Sequence, residues 1–191
     1  MIMTAPLPRL VRDRFPALVY LAQVPPAAAL ITLLGVAHPF YRAFPVLLFA
    51  AGLAFWHPAF VSGRARLLPP LFYFGLISLL SSTTTRTSRP VAGFVFHPAE
   101  FFFLALLLAW ALSRSPFAGP RRVILTVLGA CALAGALDEA HQAFVPGRVA
   151  DPLDWVLDLL GAAAGCAFFF LLPRALRAPR DARPDAERIP A

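Results

Sequence analysis

Long, nearly unbroken apolar runs alternate with short polar punctuation along this chain. Six runs stand out, at about 16–37, 43–62, 67–82, 94–112, 122–144 and 152–172. None shows the strict two-residue alternation of a half-buried strand, and most approach the length of about 20 residues that carries a helix across a bilayer core of roughly 30 Å. The pattern predicts an all-α, polytopic transmembrane helix bundle of five to six spans. Short connections favour antiparallel neighbours. The first run contains Gln23 and Pro25-Pro26, which predict a kink, and the second carries Trp56-His57-Pro58 late in its course. From Pro173 the chain turns Arg-, Pro- and Asp-rich, as a disordered tail does.

Composition sharpens this picture. Of the 191 residues, 59% are hydrophobic and only 14% charged, against about 45–50% and about 25% in an ordinary soluble domain. These values exclude a disordered protein and most soluble enzymes. The isoelectric point near 10.9 would suit a nucleic-acid binder, but the 17 basic residues are all Arg and none forms a dense patch. No nucleic-acid partner is expected. Cys131 and Cys166 both lie inside apolar runs, where they act as small packing residues rather than as a disulfide. The basic N-terminus followed by an apolar run resembles a signal peptide, yet further spans follow at once. An uncleaved first span is the expectation.

Arginine sets the orientation. With the N-terminus in the cytoplasm, Arg9, Arg12, Arg14, Arg64, Arg66, Arg114, Arg121, Arg122, Arg174, Arg177, Arg180, Arg183 and Arg188 lie inside, and only Arg42, Arg86, Arg89 and Arg148 outside. The positive-inside rule therefore predicts two cytoplasmic termini. The acids then sort the other way. Glu100, Asp138, Glu139, Asp151, Asp154 and Asp158 fall at the outer ends of spans four to six, and His38, His97 and His141 also lie on the outer side. Ionisable groups inside membrane spans are costly and usually mark function.

The richest stretch runs Asp138-Glu139-Ala140-His141-Gln142-Ala143-Phe144-Val145-Pro146-Gly147-Arg148 and continues through Asp151, Asp154 and Asp158. Helical spacing puts Asp138, His141 and Gln142 on one face, and Asp151, Asp154 and Asp158 on another that continues through Gly161 and Gly165. The small pair Gly161-x-x-x-Gly165 facing Gly129, Ala130, Ala132, Ala134 and Gly135 predicts a tightly packed hairpin of spans five and six. Plainer explanations exist for some of these residues. His97-Pro98-Ala99-Glu100 and Asp151-Pro152-Leu153-Asp154 both follow helix-start grammar. Asp138 and Glu139 do not, because negative charge near a helix C-terminus is unfavourable.

This stretch resembles the signature of the VanZ-like family of bacterial membrane proteins: Asp-Glu-x-x-Gln with His often before the Gln, then Phe-x-Pro-Gly-Arg, then Asp-x-x-x-Asn-x-x-Gly-x-x-x-Gly. It is matched by Asp138-Glu139, His141-Gln142, Phe144, Pro146-Gly147-Arg148, Asp154, Gly161 and Gly165. Ser81-Ser82 and His97 with Glu100 match an earlier family feature. Two departures are Asp158, where the family usually has Asn, and Val95-Phe96, where a Lys usually precedes the His. The resemblance covers about residues 67–172 and implies three parts: an N-terminal region at 1–66 with two transmembrane helices, a VanZ-like domain at 67–172, and a cytoplasmic tail at 173–191. It also implies a multi-pass protein of the bacterial cytoplasmic membrane linked to the cell envelope, since the family's name-giving member is associated with teicoplanin resistance.

The expected function is binding or acting on a cell-envelope amphiphile, a lipid-linked cell-wall intermediate or a lipoglycopeptide, at the outer leaflet. In that reading His141 serves as acid or base, oriented by Asp138 or Glu139. Arg148, Gln142, Asp154, Asp158, His97 and Glu100 bind the ligand, Arg148 holding a phosphate or carboxylate. Membrane lipid is the expected partner and no cofactor is required. Two alternatives remain open: a non-enzymatic scaffold or transporter component, and a metal-dependent hydrolase whose divalent ion sits on His97, Glu100, Asp138 and His141.

Overall fold

Proline marks where most helices start. A helix leaves its first N–H groups unpaired, so a residue without one is tolerated there. Pro39, Pro69, Pro120 and Pro152 sit at the first or second helical position of their elements. The computed structural model describes residues 7–33, 35–36, 38–61, 63–83, 91–115 and 119–173. The order is α1 (Leu7–Asp13), α2 (Phe15–Leu33), α3 (Pro39–Ala54), two 3₁₀ turns (Pro58–Val61 and Gly63–Leu67), α4 (Leu68–Ser81), α5 (Val91–Ser113), α6 (Pro120–Gln142) and α7 (Pro152–Leu171). No strand occurs among the described residues. Arg86, Arg89 and the tail from Arg174, which enter the arginine argument, lie outside the described residues.

Four helices, α2, α5, α6 and α7, are long and apolar enough to cross a membrane. At about 1.5 Å per residue, α3 and α4 reach only about 24 and 21 Å. The second run thus gives a shorter helix than the expected 43–62. It starts earlier, where the His38 side chain accepts a hydrogen bond from the Phe40 amide, and stops before Trp56-His57-Pro58, beyond which the chain tightens into the 3₁₀ turns. Helix α2 runs without a break through Pro25 and Pro26.

Helix α5 forms the centre. Phe101, Ala105, Leu107, Ala109, Trp110 and Ala111 on it are fully buried. Its broadest interface is with α7, while α6 lies against both and α2 packs on α3. Large apolar side chains on every helix from α2 to α7 face outward instead, among them Leu33, Leu53, Leu71, Phe94, Leu133 and Leu160. An apolar exterior of that extent suits lipid.

The two ends of the bundle differ. At one end Arg114 donates to the Arg12 carbonyl at 2.7 Å and lies over Trp110. Arg14 donates to the Trp56 carbonyl and lies over the same indole. The described carboxylates other than Asp13 gather towards the opposite end.

Candidate functional site

Four helices supply this second end: the C-termini of α4 and α6, the first half of α5 and the start of α7. Asp138 is almost completely buried, one turn before the end of α6. Its Oδ2 accepts from Ser81 Oγ of α4 at 2.8 Å and from Gln142 Nε2 at 2.8 Å. The second oxygen, Oδ1, is buried with no hydrogen-bond partner. Such satisfaction by neutral donors is what a buried acid needs, because an unpaired charge in a low dielectric is costly.

His97 ties α5 to α7. Its Nδ1 lies 3.0 Å from Asp158 Oδ1 and its Nε2 lies 3.3 Å from Asp154 Oδ2. Asp158 has no solvent exposure at all, and its Oδ2 has no partner. Glu100 is buried a turn further along α5. Glu139 reaches across to the start of α7, where its Oε2 accepts the Asp151 amide at 2.8 Å, while Gln142 Nε2 stands 3.4 Å from its Oε1. Asp151 caps α7 by accepting from the Leu153 amide at 2.9 Å. His97, Glu139 and Asp158 each bring one donor atom to within 4.8 Å of the others.

Between α6 and α7 the chain turns at Pro146-Gly147. Gly147 has φ of +81°, a conformation that costs an L side chain about 1–2 kcal/mol. Arg148 follows it half-buried, with its Nε enclosed and unpartnered.

A protein-family model, VanZ/LLP1, matches residues 20–173. The chain belongs to the VanZ/LLP1 family. No curated protein and no solved structure matches it. The VanZ/LLP1 region begins inside α2, well before residue 67, and so takes in α3 as well as the site-bearing helices.

Several sequence expectations change within this VanZ/LLP1 bundle. His97-Pro98 does not start a helix: α5 begins at Val91 and carries Pro98 in its interior. His141 does not share the buried face of Asp138 and Gln142. It is exposed and hydrogen-bonds Ser82 Oγ at 2.9 Å, because α6 is in its last turn and only one side of that turn meets the bundle. Glu139 takes the inward place instead. Arg148 forms no close ion pair: among the described residues no carboxylate lies within 4.0 Å of its guanidinium. The metal-compatible grouping is His97, Glu139 and Asp158 rather than His97, Glu100, Asp138 and His141, since Asp138 turns to Ser81 and His141 turns outward.

The glycine pair also has a different partner. Cβ atoms on Gly161 and Gly165 would stand 2.1 Å and 2.2 Å from the carbonyl oxygens of Pro98 and Phe102. The close approach is therefore between α7 and α5, not α6. Against α6, α7 uses Trp155, whose Nε1 donates to the Ala132 carbonyl at 3.0 Å, and Asp158, which fits against Gly135.

Sequence reasoning passed over a second polar group beside the site. The Tyr73 hydroxyl of α4 donates to Gln23 Oε1 at 2.5 Å, Gln23 Nε2 donates to the Val19 carbonyl at 2.9 Å, and Tyr20 donates to the Pro69 carbonyl at 2.6 Å. All three side chains are buried. The signal was available: Gln23 within an apolar run needs a partner, and Tyr73 is a donor in another run.

Proposed function

We propose that this VanZ/LLP1 protein crosses the bacterial cytoplasmic membrane six times with both termini inside. At its outer face it binds the anionic headgroup of a cell-envelope amphiphile, a lipid-linked cell-wall intermediate or a lipoglycopeptide. One observation carries the reading: a half-buried guanidinium, Arg148, follows a Pro-Gly corner, has no carboxylate partner and adjoins an apolar exterior. Guanidinium groups bind phosphate and carboxylate in a fork. A cation committed to a structural ion pair would already have one.

Arg148 takes the phosphate or carboxylate, and the hydrocarbon chain lies along the bundle. His141, exposed beside Ser82, is the group able to exchange a proton with the bound headgroup. Gln142, Asp138 and Glu139 hold the end of α6 under that corner, and His97, Glu100, Asp154 and Asp158 brace it from the α5–α7 interface.

The test uses undecaprenyl phosphate as probe, titrated into the purified protein in nanodiscs. Arg148→Ala should weaken binding about 10-fold or more, since a charged hydrogen bond contributes about 1.5–3 kcal/mol, with little change in melting temperature. Wild-type binding by Arg148→Ala would refute the reading. A scaffold role is the second reading, favoured by the cross-helix bonds Ser81–Asp138 and His97–Asp158. It predicts that undecaprenyl phosphate does not bind. Orientation is checked separately: Val149→Cys should react with an impermeant thiol reagent on intact cells, and Arg121→Cys should not.

A further inference from the structure

We infer that His97, Glu139 and Asp158 together hold one divalent metal ion, zinc or manganese, at the junction of α5, α6 and α7. The three residues come from three helices, and their donor atoms already lie within 4.8 Å of one another. An ion with ligands at about 2.1 Å separates neighbouring donors at right angles by about 3 Å. His97 Nδ1 and Asp158 Oδ1 stand 3.0 Å apart, so that pair needs only a small opening and a turn of both groups towards the ion. Glu139 has one oxygen fixed by the Asp151 amide and the other only 3.4 Å from Gln142. A bond that long holds little, and that carboxylate can rotate inward.

Two independent observations point to a cation at this junction. Asp158 is fully buried, yet its Oδ2 has no donor. That oxygen is directed at Gly135, one helical turn before Glu139 on α6. Gly135 has no Cβ, which lets the carboxylate come this close: one placed there would lie 3.0 Å from the oxygen. Charge balance agrees. Glu100, Asp138, Glu139, Asp154 and Asp158 gather at this end, whereas Arg148 reaches none of them within 4.0 Å.

Asp154 has its own part. A ligating imidazole offers one nitrogen to the ion and donates the other N–H to a carboxylate or carbonyl, which fixes its tautomer. Asp154 Oδ2, 3.3 Å from His97 Nε2, is the carboxylate that a small turn of the ring would make that acceptor. With an ion bound, the proton sits on Nε2 and the Nδ1 lone pair faces the ion; without one, Nδ1 hydrogen-bonds Asp158 Oδ1. Asp154 is a positioning residue, not a ligand. One imidazole with two carboxylates is a donor set that suits zinc or manganese.

The inference does not rest on amphiphile binding, because metal uptake is measured without any lipid probe. Tag-free, full-length protein is purified in detergent, analysed for metal content, stripped with chelator, and titrated with Zn²⁺ and with Mn²⁺. One ion per chain is expected. Asp158→Asn and Glu139→Gln, both near-isosteric, should weaken it more than about 100-fold. Asp154→Asn should weaken it about 10–100-fold. His57→Ala, at the opposite end, should bind as wild type. If the ligand variants fail to fold, the partly exposed Asp154→Asn decides. Failure of stripped wild-type protein to take up either ion overturns the inference. So does wild-type affinity in a folded Glu139→Gln, or in Asp154→Asn where the ligand variants do not fold.

Discussion

Replacing Gly161 with alanine puts one methyl group where two backbones meet. The new Cβ would stand 2.1 Å from the Pro98 carbonyl oxygen and 2.7 Å from its carbonyl carbon. A tolerable carbon–oxygen approach is about 3.3 Å, so α5 and α7 must separate by roughly 1.2 Å. Neither atom belongs to a side chain that could step aside. His97 and Asp158 belong to the same interface, and their 3.0 Å bond would open beyond hydrogen-bond range. Overpacking costs about 1–3 kcal/mol and loss of a charge-assisted bond about 1.5–3 kcal/mol, together about 2.5–6 kcal/mol. For a chain of this size each kcal/mol moves the melting temperature by about 2–4 °C, which predicts a fall of order 10 °C. The assay is thermal unfolding in detergent, read by intrinsic tryptophan fluorescence, with Gly129→Ala as control. Gly129 has open space at its Cβ position, and alanine there should gain about 0.5–1 kcal/mol of helix propensity. If the two variants melt together, the backbone contact between α5 and α7 does not exist as described.

Two further substitutions probe the polar end. Ser81→Ala removes one of the two donors to Asp138 Oδ2 and should cost about 1–3 kcal/mol, whereas Ser82→Ala, on the exposed side, should cost less than about 0.5 kcal/mol; paired thermal melts compare them. Gly147→Ala forces an L side chain into left-handed backbone and should lower stability by about 1–2 kcal/mol. It should also weaken binding of undecaprenyl phosphate, because Arg148 shifts with the corner.

The all-helical character and the approximate ends of the later helices were legible because apolar runs and helix-starting prolines are local signals. Pro120 and Pro152 open α6 and α7 close to where the runs begin. His97-Pro98 misled for the same reason: a proline that can start a helix can also sit within one, and only the residues upstream, packed into α5, distinguish the cases. Gly161 and Gly165 announced a close approach but carried nothing about its partner, which depends on how α5 runs through the bundle. The gathering of carboxylates at one end of the bundle was legible, since carboxylates in apolar runs are conspicuous. Its pairing was not. Asp138 and His141 share a helical face by spacing, yet at the frayed end of α6 one turns to Ser81 and the other to the rim. Glu139, one residue on, gains the inward position because it lies on the buried stripe of α6 that runs through Cys131, Gly135 and Gln142.

The bond between His97 and Asp158 joins residues 61 positions apart, and this separation becomes a delay during biosynthesis. At about 5–20 residues per second, α7 emerges from the ribosome about 3–12 s after the polar turn of α5. During that interval α5 carries His97 and Glu100 into the bilayer without their α7 neighbours. Its apolar window is the most hydropathic of the four candidate spans, at 1.8. That surplus lets the helix insert first on its own greasiness, and the polar end is assembled only when the last helix docks.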